Sequence, residues 1–312
     1  MEALVSIIIP TYKRAEMLHR AISSCCEQTY HNLEILVVSD NEPDDEFTAR
    51  AKETVESFND SRVRLVVQEK HINGAVARNV GIKESKGEYI SFLDDDDFID
   101  ADKIAKQVQC LSTLDDSWGG VCCRYKVYKK GQLVEVAPKF ISGYVYKKVL
   151  MRLIKTQTNS LLLRRDALMN AGLFDENLLR HQDVQLLTRF TYNYKLMFMD
   201  DYLNNLDQDD NMNRSKPEGL MAIKKAFFNS VQDIIDTLSP FERFRLFVLT
   251  RFDIGALTIQ NGQYLKGLIK CSSIICSPVA LYYAIKKVIE KRQMRALASK
   301  MRSQGLHPYR EY

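Results

Sequence analysis

Residues 77–97, ARNVGIKESKGEYISFLDDDD, join a helix-length segment to a short apolar strand that stops at four consecutive aspartates. Asn73 and Gly74, just upstream, are typical of a helix start, and Gly87 is typical of a helix end. Adjacent carboxylates raise one another's pKa, and burying them without a counter-charge is costly. The aspartates therefore need either full solvation or a neutralising cation.

The first 130 residues alternate between strand and helix patterns. Runs rich in Val, Ile and Leu predict strands at residues 4–9, 33–39, 63–68 and 89–93. The segments between them predict helices at about residues 15–27, 44–58 and 74–85. Continuous apolar strands joined by helices are typical of a parallel sheet that is covered on both faces. The sequence therefore predicts an α/β fold built on such a sheet.

Polar segments follow three of the predicted strands at their carboxyl ends. They are residues 10–12 (Pro-Thr-Tyr), 39–41 (Ser-Asp-Asn) and 94–97 (four Asp). Ligands of parallel α/β sheets bind at this edge, near the point where the strand order reverses. The convergence therefore favours a cation site over a solvated loop. Carboxylate oxygens suit Mg²⁺ or Mn²⁺, and the lack of neighbouring His and Cys argues against zinc.

A divalent ion at the edge of a parallel sheet favours a nucleotide ligand, because the ion would stabilise a departing diphosphate. Two common nucleotide motifs are absent from the sequence. No G-x-G-x-x-G follows the first strand, and the chain contains no G-x-x-x-x-G-K-[ST]. These absences argue against a dinucleotide fingerprint and against a P-loop.

Charge is unevenly distributed along the chain. The 312 residues carry a net charge of +4, but residues 213–312 contain 17 Lys and Arg against 7 Asp and Glu. Apolar residues recur there at helical spacing, notably in residues 241–252 and 279–301. A basic helical tail suggests an anionic membrane leaflet as its partner, and a solvated helical surface is the alternative.

Composition disfavours several classes of protein. The seven cysteines are odd in number and lack a C-x-x-C pair, which indicates neither a disulfide framework nor a zinc site. The N-terminal MEALVSIIIP has no cationic region and is predicted to be a strand, and residues 267–289 are too interrupted to span a bilayer. The basic residues lie away from the predicted sheet edge, which argues against nucleic-acid binding. We therefore expect a cytoplasmic protein.

Four ordered segments resemble the family 2 glycosyltransferases, which have the GT-A fold. They are VSIIIPTYKR (residues 5–14), EILVVSDNEPDD (34–45), ARNVGIKESKGEYISFLDDDD (77–97) and NSLLLRRDALMNAGLFDENLLRHQDVQLLTR (159–189). The resemblance implies a GT-A Rossmann-like, mostly parallel sheet flanked by helices. Together with the helical pattern near the C-terminus, it predicts a catalytic domain at residues 1–215 and a helical C-terminal extension at residues 216–312.

The resemblance assigns the first two strand ends to the nucleotide base. Pro10, Thr11 and Tyr12 would lie against the base, and Asp40 would hydrogen-bond it, usually a uracil. The family usually has two aspartates at the second strand end, whereas this chain has Ser39 in the first of those positions.

The aspartate run matches the D-x-D element of the family. By resemblance, Asp94 and Asp95 belong to the nucleotide site, with Asp95 at the ribose, and Asp96 binds the Mn²⁺ or Mg²⁺ that bridges the diphosphate. Asp97 is expected to support them, and Arg78 is expected to hold the edge of the nucleotide.

The catalytic base of inverting members follows a G-x-F-D-E segment, which is GLFDE in this chain. The resemblance places the base on Asp183, which would accept the proton of the attacking hydroxyl. Its alternative role is to cap the following helix. Gln182 stands where the family usually has Glu, and no role is assigned to His181 or to the acidic residues of 207–210.

The resemblance implies a metal-dependent, inverting hexosyl- or N-acetylhexosaminyltransferase of bacterial surface polysaccharide or lipopolysaccharide synthesis. Its donor would be a UDP-sugar, and its acceptor a saccharide or a lipid-linked saccharide. For the basic C-terminal helices, contact with the inner face of the cell membrane and simple packing as terminal helices are the two alternatives. Two alternatives are a nucleotidyltransferase, disfavoured because residues 10–12 are not a Gly-rich loop, and a non-catalytic sugar-nucleotide-binding relative.

Overall fold

The computed structural model describes residues 2–208 and 219–305, and a nine-stranded mixed sheet organises the first of these ranges. Its strands are β1 (Val5–Thr11), β2 (Leu33–Ser39), β3 (Val63–Val67), β4 (Tyr89–Phe92), β5 (Phe98–Ile99), β6 (Trp118–Lys129), β7 (Gln132–Val136), β8 (Leu161–Arg164) and β9 (Lys195–Asp207). The strand order is β3-β2-β1-β4-β8-β6-β9-β5, and β7 pairs with β6.

The four N-terminal strands are parallel, and their bounds lie within two residues of the predicted ones. From β1 the chain proceeds outward to β2 and β3 and then places β4 on the other side of β1. Beyond β4 the sheet is mixed, because β8 pairs antiparallel with both β4 and β6 while β9 pairs parallel with β6. The Rossmann-like sheet is thus confirmed, and its strand order reverses between β1 and β4.

Helices cover both faces of the sheet. Before residue 208 they are α1 (Ala15–Cys26), α2 (Glu46–Ser57), α3 (Gly74–Glu84), α4 (Lys103–Ser112), α5 (Tyr146–Leu150), α6 (Arg165–Ala171) and α7 (Gln182–Asn193). Successive residues of β1 face opposite sides: Ile7 packs in one core cluster with Leu18 of α1, and Ile8 packs in the other with Ile82 of α3. Both helices are therefore held against the strand that leads into the candidate site.

The predictions for the two residues that flank α3, Asn73 and Gly87, have different outcomes. Asn73 starts the helix as predicted, since its side-chain oxygen accepts hydrogen bonds from two backbone N–H groups of the first turn. Gly87 does not end the helix, which stops at Glu84. A Cβ at Gly87 would lie 2.6 Å from the backbone nitrogen of Ser6, so the close approach to β1 is what requires glycine.

The C-terminal part is helical, as predicted. It contains α8 (Leu220–Ser230), α9 (Gln232–Asp236), α10 (Pro240–Gln260), α11 (Tyr264–Cys271) and α12 (Pro278–Ser303). Leu150 of α5 packs in one cluster with Phe227 of α8 and Leu246 of α10, and Met301 of α12 packs against Leu133 of β7. No described helix combines the length and the apolarity needed to cross a bilayer. The predicted boundary at residue 215 lies outside the described residues.

Candidate active site

A cleft of about 560 Å³ opens at the carboxyl ends of β1, β2 and β4, beside the reversal of strand order. All eight residues that the sequence assigned to nucleotide or metal line it: Pro10, Thr11, Tyr12, Asp40, Arg78, Asp94, Asp95 and Asp96. The structure therefore brings the eight together, while their individual roles stay predictions.

One end of the cleft combines a flat aromatic pair with a fixed carboxylate. The rings of Tyr12 and His71 stack with their centroids 3.9 Å apart and an interplanar angle of 15°. Buried Asp40 accepts hydrogen bonds at Oδ1 from Gln68 Nε2 (2.9 Å) and from the Ile72 N–H (3.1 Å), and its Oδ2 lies 3.0 Å from His71 Nδ1. Burial raises the pKa of Asp40, and these contacts oppose that shift. Such a platform suits a planar base.

Arg14 ties the loop after β1 to the aspartate run. Its Nη2 lies 2.9 Å from Asp95 Oδ1, and its Nη1 donates to Asp96 Oδ2 at 2.7 Å. Thr11 Oγ1 donates to Asp95 Oδ2 at 2.8 Å. Burial raises the pKa of Asp95 to about 7, although Arg14 opposes the shift. A ribose hydroxyl that approached Asp95 would have to share a carboxylate that Thr11 and Arg14 already engage.

Two more arginines surround the aspartates. Arg78 Nη2 on α3 donates to Asp94 Oδ1 at 2.5 Å, which keeps Arg78 at the wall of the cleft. Arg20 on α1 donates to the backbone oxygen of Asp96 and pairs with Asp207 at 2.8 Å. Asp207, one of the acidic residues of 207–210, therefore belongs to this network. Residues 209 and 210 lie outside the described residues.

Asp97 is buried behind the cleft. One of its oxygens accepts a hydrogen bond from Asn159, and the other accepts the backbone N–H of Asp207 at 2.8 Å. Burial raises its pKa well above the usual range, and the charges of Asp96 and Asp94 add to the rise. Asp97 is thus tied to Asn159 and to the end of β9, and its supporting role stays a prediction.

The aspartate run fits a divalent cation. Asp94, Asp96 and Asp97 each offer one carboxylate oxygen, and these three oxygens lie within 4.8 Å of one another. Oxygen donors of this type are the ones that Mg²⁺ and Mn²⁺ prefer. Burial raises the pKa of Asp96, and the charge of Asp94 is the next cause. The positive charge of Arg14 opposes this rise but does not cancel it.

Asp183 lies in the first turn of α7 and does not line the cleft. It is half-buried, and no hydrogen bond or ion pair of its side chain is found within residues 2–208 and 219–305. Its neighbour Gln182 donates to Asn73 Oδ1 at 3.5 Å, and Asn73 precedes Gly74 at the cleft wall. The helix cap is His181, so the capping role is wrong for Asp183.

His181 is half-buried in a basic environment. Its backbone is left-handed, with φ at 64°, and its Nδ1 lies 3.0 Å from Arg152 Nη1. Burial lowers its pKa to about 3, and Lys224, Arg152 and Arg180 add to the effect. The imidazole is therefore neutral at physiological pH.

Three important neighbours were missed by sequence reasoning: Arg14, His71 and Arg20. Arg14 stood inside a recognised segment but received no role. His71 follows the carboxyl end of β3, and the rule that assigned the other strand ends could have found it. Arg20 gave no local signal, since its partners lie on distant parts of the chain.

Comparisons with known proteins show a family match for this chain. A family model described as Glycosyl transferase family 2 matches residues 6–172. The chain is 36% identical over 149 residues to the UDP-Glc:alpha-D-GlcNAc-diphosphoundecaprenol beta-1,3-glucosyltransferase WfgD of Escherichia coli, over 47% of this chain and 55% of that one. It is 28% identical over 194 residues to the amylovoran biosynthesis glycosyltransferase AmsB of Erwinia amylovora, over 59% of this chain and 62% of the relative.

A solved structure has a similar fold over nearly the whole chain. The crystal structure of residues 1–349 of TarS from S. aureus superimposes with a TM-score of 0.59 at 17% identity, over 97% of this chain and 92% of that chain. The chain thus spans less than two thirds of the length of the two curated relatives, while the structural likeness includes the C-terminal helices.

Proposed function

The chain belongs to glycosyl transferase family 2, and from this premise we propose that it moves one sugar from a UDP-sugar to an acceptor hydroxyl with inversion. It has the GT-A fold, a mixed sheet flanked by helices. The observation that carries the proposal is a single cleft that combines an aromatic pair, a fixed carboxylate and an aspartate run. Family membership favours this function over a nucleotidyltransferase.

The aromatic end of the cleft suits the base of the donor. A base that stacks on the outer face of the Tyr12–His71 pair would lie next to Asp40, whose carboxylate orientation is fixed by its neighbours. We assign UDP because WfgD, which resembles this chain over 149 residues, is named for a UDP-Glc donor. Arg78 would hold the edge of the nucleotide from α3.

The aspartate run suits the diphosphate of the donor. We assign Asp96 as the ligand of a Mn²⁺ or Mg²⁺ ion, with Asp94 and Asp97 beside it. Such an ion, when bound, supplies positive charge that stabilises the departing diphosphate. Arg14 pairs with Oδ2 of Asp96 in the structure, so an ion would either share this carboxylate with Arg14 or compete with Arg14 for it.

Asp183 is the proposed base. Its side chain has no described partner that would neutralise it, and α7 begins beside the helix start that forms part of the cleft wall. The carboxylate would accept the proton of the acceptor hydroxyl while that oxygen attacks the anomeric carbon. Attack on the face opposite the departing UDP inverts the configuration in a single displacement.

The acceptor is proposed to be a lipid-linked saccharide of bacterial surface polysaccharide synthesis. AmsB is named for the biosynthesis of a polysaccharide, and WfgD is named for a lipid diphosphate acceptor. An acceptor of this kind brings the protein to the cytoplasmic face of the membrane. We propose that helix α11 contacts the membrane surface. Its Leu265 is 74% exposed and its Leu268 is 59% exposed, and Lys266 and Lys270 lie on the same helix.

Titration calorimetry with Mn²⁺ tests the donor site. UDP is expected to bind more tightly than GDP or ADP. Tyr12→Leu is expected to lower the affinity for UDP by about tenfold, because stacking of one base contributes about 1–3 kcal/mol. Tyr264→Leu, on exposed α11, is the control and should bind as the wild type does. Tighter binding of GDP would overturn the UDP assignment, and failure of every UDP-sugar to give a transfer product would overturn the transferase.

Vesicle co-sedimentation tests the membrane contact. The double variant Leu265→Gln, Leu268→Gln is expected to bind phosphatidylglycerol vesicles at least about tenfold more weakly, since each buried leucine contributes about 1.5–3 kcal/mol. Ile141→Gln, an equally exposed position outside the C-terminal helices, is the control. Equal losses in the two proteins would argue against α11 as the contact.

A further inference from the structure

A second cavity, of about 730 Å³, lies where the C-terminal helices meet the sheet domain. Among the described residues, seven Lys and Arg side chains and three carboxylates line it, a difference of four charges with His181 neutral. Apolar side chains such as Phe140 and Leu257 share its walls. Within the described ranges, its lining and that of the nucleotide cleft share no residue.

Two of the three carboxylates are engaged by cations of the same wall. Asp253 Oδ1 accepts from Lys287 Nζ at 3.1 Å, and Glu135 lies 3.5 Å from Arg295. The third, Glu290, lies 3.7 Å from Lys286 on its own helix. Among the described residues, Arg152, Lys155, Lys224 and Lys291 of the lining form no ion pair with these carboxylates, so positive charge remains in excess there.

Lys224 is the clearest sign that an anion belongs in this cavity. It is only 6% exposed, and among the described residues no hydrogen bond or ion pair to its ammonium is found. Burial lowers its pKa to about 8, and Arg152 adds to the effect more than Asp253 opposes it. A buried ammonium without a counter-ion is costly, so the free energy of the site improves when an anion enters.

The cavity adjoins the proposed base along the chain. Arg180 and His181 line it, and Asp183 follows two residues later in the first turn of α7. An anion held in this cavity would therefore lie near the start of α7, apart from the ends of β1, β2 and β4 where the donor is proposed to bind. Apolar walls beside the cations suit a phosphate group that is joined to a less polar body.

We propose that this cavity binds the diphosphate group of the acceptor, with Lys224 as its buried contact. The identity of the acceptor rests on the proposed function. The assignment of a diphosphate rests on Lys224 and on the excess of positive charge in the lining. Free pyrophosphate shares the chemistry of the site, so the tests separate the two sources.

The first test is calorimetric titration of pyrophosphate into the full chain with EDTA present, which keeps the ligand away from any metal. Lys224→Gln is expected to weaken binding at least tenfold. Lys225→Gln, the exposed neighbour on α8, removes the same charge and should bind as the wild type does. No binding to the wild type, or equal losses in both variants, would overturn the site.

Thermal unfolding distinguishes a binding role from a structural one. Without an anion, Lys224→Gln is expected to melt at or above the wild-type temperature, because it removes a buried charge that lacks a counter-ion. Pyrophosphate should raise the melting temperature of the wild type and of Lys225→Gln but not that of Lys224→Gln. A variant that melts lower and still responds to pyrophosphate would assign Lys224 to packing.

Transfer kinetics identify the source of the diphosphate. With a GlcNAc-diphosphate alkyl acceptor, Lys224→Gln is expected to raise the acceptor KM at least tenfold, and with the same sugar on a neutral alkyl chain the two proteins should have equal KM values. An unchanged KM for the diphosphate acceptor would overturn the acceptor assignment in favour of a free phosphate ligand. If the wild type transfers to neither acceptor, the proposed function fails, while pyrophosphate binding still reports on the cavity.

Discussion

Asp183→Asn is expected to lower the rate of sugar transfer by about 10²–10⁴-fold, the usual contribution of a positioned general base, without a change in UDP affinity. The amide has nearly the shape of the carboxylate but cannot accept the proton of the acceptor hydroxyl. Because Asp183 does not line the nucleotide cleft, the loss should appear in kcat and leave the binding of UDP with Mn²⁺ as it is.

Asp116→Asn is the matched control for this prediction. Asp116 is an exposed residue between α4 and β6, and the same change of charge there should leave transfer untouched. Single-turnover kinetics with a preformed donor complex would separate the chemical step from product release. An Asp183→Asn protein that transfers at the wild-type rate would remove Asp183 from the mechanism.

The sequence predicted the N-terminal half of the sheet because its signals are local. β2 occupies the predicted residues, and the apolar run that marks it needs no knowledge of its partners. β1 extends to Thr11, beyond the predicted end, because Pro10 and Thr11 pair in register with Val38 and Ser39 of β2. The end of a strand thus depends on its neighbour, which a single apolar run does not reveal.

The site was predicted as a set of strand ends, but its electrostatics were not. The Arg14–Asp96 contact joins residues 82 positions apart, and it exists because β4 pairs with β1. His71 reaches Asp40 because the loop after β3 folds over the end of β2. Lys224 offered no signal, because its burial arises only where α8 packs on the sheet domain. Contacts between distant segments follow from strand order and helix packing, which local patterns do not encode.

Asp96→Asn is expected to reduce the Mn²⁺-dependent affinity for UDP by more than about 100-fold, beyond the loss typical of residues that merely support a metal ligand. The wild type in EDTA should bind UDP as weakly as the variant does. Stability should not suffer, because burial and Asp94 raise the pKa of Asp96, which means that its ionised form is disfavoured in the folded protein.

Asp97→Asn is the matched comparison, because it changes the same charge at the next residue and is expected to affect folding, whereas Asp96→Asn is not. Both oxygens of Asp97 accept hydrogen bonds, from Asn159 and from the Asp207 N–H, and an amide can accept only at one. Burial raises the pKa of Asp97 too, so loss of its charge by itself would not destabilise the fold. The amide NH₂, however, would face one of these two donors and leave it without an acceptor, so Asp97→Asn should lower the melting temperature. Asp96→Asn should keep the melting temperature and lose only the Mn²⁺-dependent titration heat. Unchanged UDP heats in Asp96→Asn with Mn²⁺ would show that Asp96 is not the ligand, and equal loss of stability in both variants would assign Asp96 to the scaffold that holds the cleft together.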